Sequence, residues 1–118
     1  MKKLNLADKF SQFSEQWQPK IIGELDNYDI KIARIQGEFD WHSHADTDEL
    51  FLIVNGEMTM GLRDGDVDLR AGEIYVVPKG VEHKPYAEKE CQILMLERKG
   101  TLNTGEAESD RTVQAQRL

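Results

Sequence analysis

Through the centre of this chain hydrophobic and polar residues alternate with a period near two, so the middle of the sequence predicts strands rather than helices. Asp29 to Gln36 sets the pattern, with Ile30, Ile32 and Arg34 on one face and Lys31, Ala33 and Ile35 on the other. Turned inward, Arg34 would bind a carboxylate or phosphate; turned outward, it would be an ordinary edge-strand arginine. Glu49 to Val54 is apolar on both faces and ends at Asn55-Gly56, which reads as a hairpin turn into a strand carrying Met58, Met60 and Leu62 on one face. Asp64-Gly65 then turns the chain into Val67 to Leu69, and Ala71-Gly72 leads into Ile74 to Val77, closed by Pro78. From Tyr28 to Arg98 the spacing is that of an all-β sandwich or barrel. The ends differ. Leu6, Phe10, Phe13 and Trp17 fall at helix-like intervals between Leu4 and Gln18, with Asn5 as N-cap and Pro19 as the stop. Thr101 to Leu118 offers almost nothing to bury and predicts an irregular, mobile tail. The expected organisation is a helical or extended arm at 1–27, a barrel at 28–98 and a polar tail at 99–118.

Composition narrows the function. A chain of 118 residues makes one modest core. Asp and Glu outnumber Lys and Arg by 22 to 15, with no basic cluster, which argues against a nucleic-acid partner. No stretch is long and apolar enough to span a bilayer, so the expectation is a soluble cytoplasmic protein with no membrane partner. Cys91 is the single cysteine, and its neighbours Gln92 to Leu96 read as a strand in which a thiol is core packing.

Chemistry concentrates in the histidines. All three, His42, His44 and His83, lie in two short clusters bracketed by turn glycines. Residues two apart on a strand point to one face and lie roughly 6.5 to 7 Å apart, so His42 and His44 form a chelating pair. Glu49 shares a face with Phe51 and Ile53, both core-type residues; a carboxylate there needs a partner, and a cation held by imidazoles would supply one. His83 follows the Pro78-Lys79-Gly80 turn and can complete the set from a neighbouring strand.

These two clusters resemble the paired motifs of the cupin superfamily. Gly37, His42, His44, Glu49 and Gly56 match the first, with one residue fewer than usual between Gly37 and His42; Gly72, Pro78, Gly80 and His83 match the second, with Ala87 where asparagine is usual. The chain is similar in particular to small single-domain cupins of the mannose-6-phosphate isomerase-like kind. The resemblance implies a double-stranded β-helix, or jelly-roll barrel, with a short N-terminal helix added, and convergence of His42, His44, Glu49 and His83 inside the wider mouth. Mixed nitrogen and oxygen ligation suits one divalent Fe, Mn, Ni, Zn or Cu ion and leaves open positions for a small-molecule ligand or substrate. Isomerase- or epimerase-like Lewis-acid chemistry and dioxygenase-like chemistry share such a site, and a non-catalytic ligand- or metal-binding module is the alternative. Proton transfer would fall to Tyr86 or Glu97, with Tyr75 a further candidate. Leu50, Leu52 and Val54 face away from Glu49 and need cover, from the N-terminal segment or a second subunit. With the resemblance, this points to a homodimer.

Overall fold

The computed structural model describes residues 2–118. A short helix, α1 (Leu6–Phe10), precedes eight strands: β1 (Lys20–Leu25), β2 (Tyr28–Glu38), β3 (Glu49–Asn55), β4 (Glu57–Leu62), β5 (Val67–Arg70), β6 (Ile74–Val77), β7 (His83–Arg98) and β8 (Gln116–Arg117).

The fold is organised by β7. One edge of this 16-residue strand pairs antiparallel with β2, from Tyr86 opposite Glu38 to Arg98 opposite Tyr28. Its other edge takes β4 at His83 to Tyr86 and β3 at Gln92 to Leu96. From there β3 passes on to β6 and β4 to β5, while β1 and β8 extend the sheet beyond β2. The sheet does not close by hydrogen bonds, yet it wraps one core to which β2 gives Ala33 and Ile35, β3 Phe51 and Ile53, β4 Met58 and Met60, and β7 Ile93 and Met95. The alternation expected for β2 holds, with Ala33 and Ile35 on the core side and Arg34 outside. Ala87, in the position where asparagine is usual, is a buried member of this core. Cys91 is fully buried beside it, and burial together with the nearby charge of Glu57 pushes the thiol up to about 11.

Three expectations need correction. Asn55-Gly56 does not make a hairpin, because β3 and β4 are not partners. Asn55 still pairs with Gln92, and Gly56, at φ +90°, turns the chain around a corner of the sheet where a Cβ would meet Glu90 O at 3.1 Å. Turn residues report a bend, not the partner that follows it. The N-terminal helix is far shorter than Leu4 to Gln18. Asn5 does cap it, its side chain accepting from Asp8 N at 2.9 Å, but Arg34 donates to Phe10 O at 2.7 Å and Phe13 O at 3.0 Å, so the helix ends at Phe10 and the chain continues extended over β2. The tail is not irregular throughout. Thr104 is wholly buried, and Gln116–Arg117 pairs with β1 as a parallel strand.

Candidate metal centre

Four side chains meet where the segment between β2 and β3 crosses the start of β7. His42 and His83 exchange backbone hydrogen bonds, His42 N to His83 O at 3.0 Å and His83 N to His42 O at 2.9 Å. The Pro78–Gly80 turn is tied to the same segment, Gly80 N donating to His44 O at 2.8 Å. Gly80 takes φ +81° to make that approach, a conformation glycine reaches without a Cβ penalty. Glu49 opens β3 opposite Val77, and its neighbour Asp48 accepts from Lys79 N at 2.8 Å, so the Asp48 carboxylate serves the turn.

His42, His44, Glu49 and His83 are all buried, at most 5% exposed, and one ligand atom from each lies within 4.8 Å of the others. Two ligands about 2.1 Å from a common ion can be no more than roughly 4.2 Å apart, so a slight closure of the set suffices. The backbone fixes the ring orientations. His42 Nδ1 lies 2.8 Å from Asp40 O and His83 Nδ1 lies 2.9 Å from Val81 O. A carbonyl only accepts, so Nδ1 carries a proton on both rings and Nε2 is the atom turned toward the other side chains. His83 Nε2 lies 3.2 Å and His44 Nε2 3.3 Å from the same oxygen, Glu49 Oε1. Neither ring nitrogen of His44 has a hydrogen bond of good geometry, although both are buried. Imidazole nitrogens gathered on one carboxylate oxygen, with both nitrogens of His44 orphaned, fit a divalent cation among them. Burial, reinforced by the neighbouring His83, lowers the His42 pKa to about 4, which keeps that ring neutral and able to ligate.

The site extends beyond these four. Glu97 on β7 is 1% exposed; Lys31 Nζ donates to its Oε1 at 2.8 Å and to Thr101 O at 3.0 Å. Burial, and then the charge of Glu49, push Glu97 well above the usual carboxylate range, with Lys31 opposing. Burial alone would raise Glu49 too, but contact with Glu97, His44 and His83 holds it well below that range. Glu97 Oε2 is buried without a hydrogen-bond partner. His42, Glu49, Glu97 and Asn103 are the polar residues of a cavity otherwise lined by apolar and aromatic side chains, Trp17 among them.

The other sequence candidates lie elsewhere. Tyr86 is 38% exposed and lines a surface groove with Glu57, Thr59 and Asp68, which is the expected outcome of strand parity once its neighbour Ala87 points into the core. Tyr75 packs against the barrel core from β6. Arg34 points outward, held by Phe10 O, Phe13 O and Glu90. Lys31, Trp17, Phe39 and Asn103 were not among the sequence candidates. Only Lys31 carried a signal, a lysine on the same face as Ala33 and Ile35, which demands a buried counter-charge.

Fold and site together define a single-domain β-barrel in which one loop and two strands bring together three histidines and a glutamate that could hold a metal ion. The profile of the Cupin_2 family, the cupin domain, matches residues 32–97, and the chain belongs to that family. It is 32% identical over 81 residues to the protein YdbB of Bacillus subtilis (strain 168), covering 68% of this chain and 72% of that one. Among solved structures it is similar to a cupin-2 domain containing protein of Shewanella frigidimarina, with 48% identity, a TM-score of 0.80 and coverage of 81% of this chain and 94% of that one. A hydroquinone 1,2-dioxygenase of Sphingomonas sp. TTNP3 superimposes with a TM-score of 0.74 at 21% identity over 82% of this chain and 32% of that one, a likeness of fold.

Proposed function

We propose that this cupin is a small-molecule enzyme built on one divalent transition metal held by His42, His44, Glu49 and His83. The observation that carries this reading is the convergence of three imidazoles and one carboxylate, all buried, with one ligand atom of each within 4.8 Å of the others and both ring nitrogens of His44 left without a hydrogen bond. Such an ion supplies Lewis-acid or one-electron chemistry when bound. The chain's own residues do the rest. Asp40 O and Val81 O orient two rings, Lys31 anchors Glu97, and Glu97, lining the cavity beside His42 and Glu49, is placed to handle a substrate proton. Both dioxygenase-like and isomerase- or epimerase-like turnover use such a set, and binding without turnover is the remaining outcome.

We also assign the protein to the cytoplasm as a homodimer. Among the described residues no helix is long and apolar enough to cross a membrane. On the outer face Leu50 and Leu52 stand beside Val76 and Ile74, and Ile74 and Val76 remain 59% and 46% exposed; a second copy would cover this strip.

The ligand assignment is tested by metal affinity. Removing only an outer hydrogen-bond partner of a ligand loses about 10- to 100-fold, so His44→Ala should lose more than about 100-fold. Asp48→Ala, which removes a carboxylate committed to Lys79 N, should bind as the wild type does. Equal loss in both variants would move the oxygen ligand to the acidic loop.

A further inference from the structure

We infer that the cavity beside the metal centre takes a small molecule with an uncharged, largely apolar body and hydroxyl groups at one end, a phenol or diol, and does not take a phosphorylated sugar. This rests on the metal-centre reading above and names a substrate class for it.

The walls carry the first half of the inference. Ala33, Ile35, Phe51, Ile93 and Met95 form the apolar side, and they offer no hydrogen bond. A polyhydroxylated body lying against them would give up its water hydrogen bonds for nothing, at about 1 to 3 kcal/mol per group. The polar groups are His42, Glu49 and Glu97, the last two lying two residues along β3 and β7 from Phe51 and Met95, while the amide of Asn103 is committed to Arg111 O and Val113 N, so the ligand must be polar at one end only. A hydroxyl there reaches the open positions of the ion.

Charge carries the second half. Among the described residues no lysine or arginine lines the cavity. Lys31, the buried cation closest in sequence to the wall residue Ala33, is committed to Glu97 Oε1 and Thr101 O, and Arg34 is held outside. A phosphate in this space would face the carboxyls of Glu49 and Glu97 with no guanidinium or ammonium to pair it.

Size agrees. The cavity measures about 400 Å³, at the small end of ligand pockets, which suits a ligand of about one ring. Trp17 and Phe39 both line the cavity and stack at 4.7 Å, and Phe39 meets the His42 ring edge-on at 5.4 Å, so the wall beside His42 is aromatic as well.

The test uses the full chain loaded with Co²⁺, whose visible absorbance reports its ligands, titrated separately with catechol and with glucose 6-phosphate. The expected result is a saturable spectral shift with catechol, with Co²⁺ still bound after gel filtration, and binding at least about tenfold weaker, or none, with the sugar phosphate. Equal or tighter binding of glucose 6-phosphate would overturn the substrate class while leaving the metal centre intact. Failure of Co²⁺ to load would instead remove the metal reading, and this inference with it. Ala33→Leu fills the cavity from its apolar side; it should keep one Co²⁺ per chain and weaken catechol by at least about tenfold. Undiminished catechol binding in a folded, Co²⁺-loaded Ala33→Leu protein would place the ligand outside the cavity. Should that variant not fold, the two-probe comparison on the wild type decides alone.

Discussion

The two terminal segments both line the cavity, through Trp17 and Asn103, but the balance of forces that holds them differs. The N-terminal arm adds burial to its hydrogen bonds with Arg34: Phe10 is 1% exposed, the Arg34 guanidinium lies over the Phe10 and Phe13 rings at 5.7 and 5.6 Å while donating to the carbonyls of both, and Trp17 stacks on Phe39. The C-terminal tail is fastened by hydrogen bonds to the segment that carries the ligands. Glu106 N donates to Ser43 O at 2.8 Å, Ala45 N donates to Glu106 Oε1 at 3.2 Å, Ser109 Oγ donates to Asp40 Oδ2 at 2.8 Å and Arg111 donates to Glu38 O at 2.6 Å. Apolar burial at the arm stabilises the fold generally, whereas the tail's directional bonds fix the position of residues 38–45 and so of His42 and His44.

The largest effect is expected at the arm. Phe10→Ala should cost about 3 to 4 kcal/mol in urea unfolding, as for other buried aromatics, with metal affinity within about twofold of wild type. Gly105→Ala should cost about 3 kcal/mol and also lower metal affinity by about tenfold. Gly105 sits at φ +56° with its Cα pressed against Ser43, so that a Cβ would strike Ser43 O and approach His44 Nδ1 at 3.0 Å. If Phe10→Ala lowered metal affinity as much as Gly105→Ala, the division between arm and tail would fail.

Acidification acts on the braced segment through His42. Its pKa is about 4 in the folded protein against 6.5 for the free side chain, so between those values the unfolded chain binds more protons and stability falls as pH falls. On metal-free protein this amounts to about 2 kcal/mol between pH 7 and pH 5. Glu97 acts with the opposite sign, because its folded pKa is raised and it gains protons before the unfolded chain does. Comparing urea unfolding of the wild type with that of His42→Gln isolates the histidine, and the variant should lack this loss. The smallest effect belongs to Glu106→Ala, about 1 kcal/mol or less for one exposed acceptor, visible as faster hydrogen exchange at Ala45 N.

The same contrast explains what could be read from the sequence. Period-two patterning gave the strands from Tyr28 to Arg98, and the histidine spacing with Glu49 on a core face named the four side chains that the fold brings together. Burial leaves such marks because it selects residue types at fixed intervals. The tail left none: Glu106 and Ser109 are ordinary polar residues whose partners Ala45 and Asp40 lie 61 and 69 positions away, and no periodicity encodes them. Phe10 and Trp17 were legible as apolar residues, but the helix inferred from their spacing stops at Phe10, where Arg34 takes the carbonyls that a longer helix would have used. Tyr86 failed for a related reason, since strand parity alone decides its face and parity needs a known partner strand.

The central claim is that these four side chains share one ion. Crystals grown with a single divalent transition metal, with X-ray data collected just above and just below that metal's absorption edge, locate it directly. The account predicts one anomalous peak per chain, within about 2.3 Å of a nitrogen of His42, His44 and His83 and of a Glu49 oxygen. A peak at the Asp46–Asp48 loop, or none at a fully loaded stoichiometry in solution, would contradict it.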